Sequence, residues 1–228
     1  IIPADRFTIQ ELTDLYNQTR VDYLVPMPMS ADRLNEYIHD YDVDLHHSCV
    51  ARHADGQILG LSMLGFRHQT AWITRLGVLP VTRRTGAGSV LMHGMLANAA
   101  ALGAKEIHLE VIKNNAPAYN LFLKTGFIEK DTYLVMRHAP RSMTMPLQDE
   151  VTWLNFDKAL EKLETYPHHL TWINAHESMR NSPSTEGLHV RLANGSSGWL
   201  VYRNTKFTLR STLSHLIMHT EQGNAEEV

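Results

Sequence analysis

Between residues 71 and 137 the chain changes its hydrophobic period five times, and few architectures accommodate such a succession. Ala71–Leu79 (AWITRLGVL) is a β-like run that stops at Pro80. Arg83-Arg84-Thr85-Gly86-Ala87-Gly88 follows as a loop. Ser89–Leu102 then places Leu91, Met95, Ala99 and Leu102 on one helical stripe, and Gly103 is a good left-handed terminator. Glu106–Ile112 (EIHLEVI) is a second β run. Asn115 caps a short helix that runs to Thr125, tolerates Pro117 in its first turn and stops at Gly126. Ile128–Arg137 reads as one more strand. A strand–loop–helix–strand–helix–strand order requires a sheet flanked by helices, so the fold class is α+β, a mixed sheet spanning residues 1–140.

The flanking segments fit that frame. Thr8 can cap a helix over 8–20, with Glu11 three residues later and Leu12 and Leu15 at helical spacing. Pro26 and Pro28 interrupt it, and Ser30 caps a second helix over 31–39 with Leu34, Tyr37 and Ile38 on one side. Ser48–Arg52 and Gln57–Phe66 are β-like, with an Asp55-Gly56 turn between them. Residues 141–150 read as a linker, because the 139–150 stretch is rich in Pro, Ser and Met and has no period. Residues 151–228 form a small C-terminal α+β segment. It is predicted to hold a helix over 151–166 and strands within 188–210, with turns at Asn194-Gly195 and Asn204-Thr205. A last helix is predicted over Thr212–His219. A segment this short cannot hold a large core alone, so it is expected to dock on the first domain or on a second subunit, which leaves a homodimer open.

Composition removes some functions. The net charge of -3 over 228 residues offers no basic face for phosphate backbones, so no nucleic-acid partner is expected. The sequence contains no apolar run of about 18 residues, so no membrane partner is expected. Cys49 is the one cysteine and cannot form an intrachain disulfide, which fits a reducing, cytoplasmic setting. Among the fourteen histidines only His215 and His219 have H-x-x-x-H spacing, and no C-x-x-C accompanies them, so no metal is expected.

The loop carries chemistry. Two glycines around Ala87 let backbone N–H groups turn inward, and the following helix adds its positive end. Arg83 and Arg84 add charge. The site suits a phosphate or pyrophosphate. It is not a P-loop, since no Lys-Ser/Thr follows Gly88, and it is not a dinucleotide fingerprint, since Leu91 stands where the third glycine would be. Taken by itself, the loop also reads as an ordinary turn into a helix.

With the segments around it the loop resembles the GNAT acetyltransferase family. Arg83-Arg84-Thr85-Gly86-Ala87-Gly88 resembles that family's Q/R-x-x-G-x-G/A. Leu76-Gly77-Val78 and Pro80 resemble the strand end before it. Leu109-Glu110-Val111 and Asn115–Phe127 (NAPAYNLFLKTGF) resemble its LEV…N-x-x-A-x-x-L-Y-x-x-x-G-F. The likeness covers residues 45–137 clearly and 1–44 loosely. It implies a central, mostly antiparallel sheet with a splayed parallel strand pair, flanked by helices. It implies acetyl-CoA as cosubstrate, threaded through the splay. Leu76, Gly77 and Val78 would lie along the thioester and pantetheine, with Val78 N–H toward the thioester oxygen. Arg83, Arg84, Thr85, Gly86, Ala87, Gly88 and Ser89 would hold the pyrophosphate, and Asn115 and Phe122 would border the cofactor.

The implied activity is direct transfer of acetyl to a primary amine in a ternary complex; the partner would be an amine-bearing small molecule or a protein N-terminus or lysine. An amine of pKa about 10.4 must lose a proton before it attacks. Glu110 aligns with the glutamate that some members use as base. The alternative for a carboxylate there is simple pairing with a neighbouring Arg or Tyr. The family's tyrosine that protonates the leaving thiolate aligns with Phe122, which has no proton to give. Tyr119, one turn earlier, is the second choice of acid, with plain packing as the alternative. A thiol of pKa about 8.5 also leaves tolerably without one. Two further features concern the acceptor. Asp40, Asp42 and Asp44, with Asp22 and Asp32, read as solvated loop acids or as an attractor for a cationic amine. Tyr16, Tyr23 and Met27 are candidates to line the acceptor groove. Trp72, Trp153, Trp172 and Trp199 read as core. A reading from another class is a non-catalytic acyl-CoA-binding or regulatory module.

Overall fold

The structure, a computed structural model, describes residues 1–136, 139, 150–207 and 210–223. The chain divides into two compact units, Ile1–Asp131 and Thr132–Val228.

The first unit is a five-stranded sheet in the order β1 (Ile2–Pro3), β2 (Cys49–Arg52), β3 (Ile58–Arg67), β4 (Thr70–Val78), β5 (Glu106–His108). All neighbours are antiparallel except β4 and β5, which run parallel. Helix α1 (Ile9–Gln18) begins at a complete capping box: Thr8 Oγ1 accepts from Glu11 N–H, and the Glu11 carboxylate accepts from Thr8 N–H. Helix α2 (Ala31–Asp40) is capped by Ser30 as expected. On one face of the sheet Cys49, Ala51, Leu64, Ala71 and Ile73 pack against Leu91, Met92, Met95 and Ala99 of α3 (Ala87–Ala101) and Phe122 of α4 (Ala116–Lys124). α3 turns apolar residues all round, as a helix pressed against a sheet and a second helix requires. Trp72 packs among the rings of Tyr37 and Tyr41.

The second unit is a four-stranded antiparallel sheet, β6 (Glu150–Leu154), β7 (Thr185–Arg191), β8 (Ser197–Phe207), β9 (Arg210–Gln222), with helices α5 (Phe156–Glu164) and α6 (His176–Asn181). It has a hydrophobic cluster of its own, built from Leu154, Ala159, Leu163, Met179, Trp199, Val201 and Ile217.

This unit repeats the first half of the other. Both run strand–helix–helix–strand–strand–strand, with neighbours in the order of the chain. The repeat extends to an irregularity. In β3–β4, Leu61 faces Gly77 and Met63 faces Thr74, so Arg75 and Leu76 bulge opposite Ser62. In β8–β9, Val201 faces Ile217 and Arg203 faces Ser214, so His215 and Leu216 bulge opposite Tyr202. Arg75 and His215 both take a φ of 54°. The two hairpins close at the same distance beyond the bulge, Arg67 facing Thr70 and Phe207 facing Arg210.

Several expectations need correction. β5 ends at His108, so Leu109–Ile112 are not strand. Ile128–Met136 forms no strand either: Ile128, Leu134, Val135 and Met136 are exposed and without a ladder partner, and Arg137 lies outside the described residues. Residues 151–154 belong to strand β6 rather than a helix, because Asn155 caps α5 and the residues before it pair with β7. Glu150 is the first residue of β6, while the linker residues 141–149 lie outside the described residues. Asn204 and Thr205 lie within β8, facing Leu213 and Thr212, not in a turn. Thr212–His219 is strand, not helix: the two-residue bulge at 215–216 shifts the alternation and gives the apolar positions a helix-like spacing. Trp153 is exposed on β6 rather than core.

Candidate active site

The site forms where the sheet of the first unit opens. β5 pairs with β4 at three positions only, Thr70–Trp72 against Glu106–His108. β4 then continues to Val78 with no neighbour on that side among the described residues. A parallel pair that separates leaves the N–H and C=O groups of one strand edge accessible to an extended ligand. The bulge falls in this open stretch. Gly60 and Gly77 allow the backbone to pass there: a Cβ on Gly60 would lie 2.2 Å from Gly77 O, and one on Gly77 would lie 2.3 Å from Thr19 Oγ1.

β4 leads through Pro80–Thr82, a short 3₁₀ turn, into the glycine loop. Thr82 is buried and its hydroxyl donates to Leu59 O, and Thr85 Oγ1 donates to Thr82 O at 2.7 Å. Arg84 and Gly86 take φ values of 66° and 91°. Gly86 is the N-cap of α3, and Val90 N–H makes the first helical bond, to Gly86 O. The amides of Ala87, Gly88 and Ser89 therefore lie in the helix turn whose donors have no helical acceptor. Ala87 is buried, and a Cβ on Gly88 would touch Leu121 of α4 at 3.2 Å. Arg83 makes a bidentate ion pair with Asp22, at 2.6 and 2.7 Å, and its Nη2 donates to Thr19 O. This ties the loop to the turn that follows α1. The pairing raises the Arg83 pKa and lowers that of Asp22.

Across the gap, Glu110 accepts a hydrogen bond from Trp72 Nε1 at 2.8 Å. The residue is exposed as a whole, but its carboxyl is turned in toward Trp72 and partly cut off from water. Loss of water raises its pKa above the ordinary carboxylate range, and the Trp72 hydrogen bond and the nearby His108 only partly offset that. Asn115 caps α4 through Oδ1, and its Nδ2 donates to Tyr23 Oη at 3.5 Å. Phe122 is buried in the core with its ring 6.2 Å from that of Phe127. Tyr119 turns its hydroxyl to Glu129 at 3.0 Å, and that carboxylate raises the tyrosine pKa.

A wall of side chains that sequence reasoning missed in part lines the same opening. Tyr16 is fully buried and donates to Met27 O at 3.1 Å. Tyr37 is buried, and its hydroxyl pairs with Thr74 Oγ1 at 2.7 Å. Arg75 lies between the rings of Tyr16 and Tyr37, and Arg20 lies against Tyr16 and Tyr23. The two arginines carried no sequence signal, since their partners lie far along the chain. The loop acids are otherwise engaged: Asp22 by Arg83, Asp42 by Arg67, Asp44 by His47. Among the described residues no group of three His, Cys, Asp or Glu could hold a metal ion, and no helix is long and apolar enough to cross a membrane.

Comparison with known proteins agrees with this fold. A model of the acetyltransferase (GNAT) family matches residues 9–127, more than half of the chain. An uncharacterized N-acetyltransferase of Mycobacterium tuberculosis (strain ATCC 25618 / H37Rv) is 37% identical over 100 residues, which is 43% of this chain and 62% of that protein. A mycothiol acetyltransferase of Clavibacter michiganensis subsp. michiganensis is 37% identical over 78 residues, 34% of this chain and 26% of that protein. The chain thus spans less than two thirds of the curated relatives it matches. In fold it is similar to a tandem GNAT protein from the clavulanic acid biosynthesis pathway, with a TM-score of 0.60 and 15% identity over 97% of this chain and 78% of that one.

Proposed function

The chain belongs to the GNAT acetyltransferase family, and from that premise we propose that it is an N-acetyltransferase that carries acetyl from acetyl-CoA to a primary amine by direct attack in a ternary complex. The observation that carries the reading is the stretch of β4 from Ile73 to Val78 that runs without β5 beside it, next to the left-handed Gly86 turn into α3. The residues present fit the cofactor. The open strand edge suits an extended arm with amide groups, and the first-turn amides of α3 with Arg84 suit a pyrophosphate.

Acetyl-CoA supplies a thioester whose carbonyl an amine can attack. The rest falls to the chain. The end of β4 would place Val78 N–H toward the carbonyl oxygen, where negative charge develops. Glu110, held by Trp72 and raised in pKa, would take the proton from the amine, directly or through water. Its raised pKa brings it nearer to the working pH, where a base is more effective. Asn115 would border the pantetheine arm. Tyr119 is a poor acid for the thiolate because Glu129 holds its hydroxyl and raises its pKa, so water takes that role. This last point is also what keeps a non-catalytic acyl-CoA-binding module as the second reading.

Calorimetric titration with acetyl-CoA tests the site. Micromolar binding is expected, weakened at least tenfold in Gly86→Val. No other atom comes within 4 Å of a Cβ there, so the change acts through the φ of 91° and not through packing. Absence of binding at millimolar acetyl-CoA would remove the enzyme reading. Binding without transfer to any amine would favour the second.

A further inference from the structure

The tyrosine wall carries two arginines with no counterion. Arg6, Arg33, Arg67 and Arg83 each have a carboxylate within ion-pair distance. Arg20 and Arg75 have none among the described residues, although both are shielded by aromatic rings. The Arg75 guanidinium carbon lies 4.1 Å from the centroid of Tyr37 and 5.3 Å from that of Tyr16. That of Arg20 lies 4.4 Å from Tyr23 and 5.0 Å from Tyr16. The two cations thus share one ring. Each makes a single further bond: Arg75 Nη1 donates to Tyr16 Oη at 3.2 Å, and Arg20 Nη2 donates to Leu76 O at 3.3 Å. The Nε of each is out of contact with solvent and has no partner.

Two guanidinium groups packed on one tyrosine ring, each with a buried Nε that has no partner, are unfavourable unless an anion joins them. Their place in the fold says which anion. Arg75 is the first residue of the bulge, held at a φ of 54°, two residues before Gly77-Val78. Tyr37 borders both Arg75 and Trp72, its ring 4.1 Å from the Arg75 guanidinium carbon and 6.2 Å from the ring of Trp72, which holds Glu110. A ligand whose amine meets Glu110 can extend its remaining end along Tyr37 toward Arg75 and Arg20. A forked guanidinium matches a planar carboxylate, and the tyrosine faces hold the forks in place.

We propose that the acceptor is an amine that also carries a carboxylate, of the amino-acid class, and that Arg75 and Arg20 bind that carboxylate. The proposal deepens the acetyltransferase reading and rests on it for turnover. It replaces the expectation that acidic loops draw a cationic amine, since Asp22, Asp42 and Asp44 are paired and the wall is positive.

The test compares amines that differ only in the carboxylate: lysine with cadaverine, arginine with agmatine, tyrosine with tyramine. A fourth comparison sets phosphoethanolamine beside ethanolamine. With the full chain and acetyl-CoA, kcat/KM for the preferred acid should exceed that of its decarboxylated partner ten- to hundredfold, the range of a hydrogen bond to a charged group. In Arg75→Gln and in Arg20→Gln that ratio should fall toward one, while affinity for acetyl-CoA stays within twofold. Arg75→Lys should restore part of it, which a loss of folding would not allow. Binding of the N-acetylated acid to the protein with CoA present, measured by calorimetry, reads the same subsite without turnover. If that binding depends on Arg75 while no amine is acetylated, the transfer reading fails and the carboxylate site stands. Equal rates for acids and decarboxylated amines, a preference for phosphoethanolamine, or no binding of any acid would each overturn the proposal.

Discussion

Glu110 is held by one hydrogen bond and by the water it has lost, and both facts are testable. Replacing it by Gln keeps an acceptor for Trp72 Nε1 but removes the base. Turnover should fall on the order of a hundredfold or more with acetyl-CoA affinity unchanged, read by steady-state kinetics and calorimetry. The pH profile follows from the raised pKa. The base must be ionised, so the rate of the parent chain should climb through a midpoint above the ordinary carboxylate value, and Glu110→Gln should lose that limb. Stability runs the other way. A carboxyl whose folded pKa exceeds its unfolded one favours folding below the unfolded pKa, and that contribution is lost as pH rises through the folded value. At pH 7 the Gln variant should melt no lower than the parent. At this scale the sequence was legible where a motif is local. The loop from Arg83 to Ser89 and the Asn115 cap lie within a few positions of what they act on. Glu110 could be singled out, but not its partner Trp72, 38 residues upstream. Arg20 and Arg75 were not legible at all, because Arg20 meets Leu76 from 56 positions away and Arg75 meets Tyr16 from 59.

The helices were legible because their signals are local: Thr8 with Glu11, Ser30, Gly103 and Gly126 mark ends within one turn. Strands depend on partners, and there the reading was less complete. The 106–112 run has strand composition throughout, yet pairing stops at His108 because β4 and the chain diverge. β9 was hidden by its bulge, and Ile128–Met136 by the lack of any ladder. The bulge in β4 rests on Gly77, whose space is filled by Thr19 at the end of α1. Gly77→Ala should destabilise the first unit by about 1–3 kcal/mol, as overpacking against a short, stiff side chain does. Thr19→Gly in the same chain should recover part of that in denaturant titration. If the single substitution leaves the midpoint unchanged, the contact between α1 and the bulge is not as tight as the geometry requires.

Across the whole molecule the two units share a topology and an irregular strand but not a chemistry. Arg75 in one corresponds to His215 in the other, Gly77 to Ile217, Ser62 to Tyr202. With so little shared sequence the repeat could not be found by self-comparison; only pairing and φ angles reveal it. His215 gives the second unit its own response to acid. Burial pushes its pKa down to about 4, with Arg203 adding to the effect. Its folded pKa lies below the unfolded one, so the stabilisation is complete above about pH 6.5 and is lost as pH falls through the folded value. The loss is on the order of 3 kcal/mol. Hydrogen exchange of the β8–β9 amides should show their opening free energy dropping between pH 6.5 and 4. His215→Asn, which tolerates the positive φ, should flatten that dependence.

The Arg83–Asp22 clip has a consequence for the order of events. It fastens the loop read as the donor site to the turn beside the acceptor wall. Whichever substrate draws Arg83 away first alters the floor on which the other must settle. A pyrophosphate brings more negative charge to a guanidinium than a single carboxylate does, so the donor should enter first. Initial-rate patterns should then show CoA competitive with acetyl-CoA and noncompetitive with the amine. In Asp22→Asn, where Arg83 keeps only its bonds to the Thr19 and Val78 carbonyls, entry should become random.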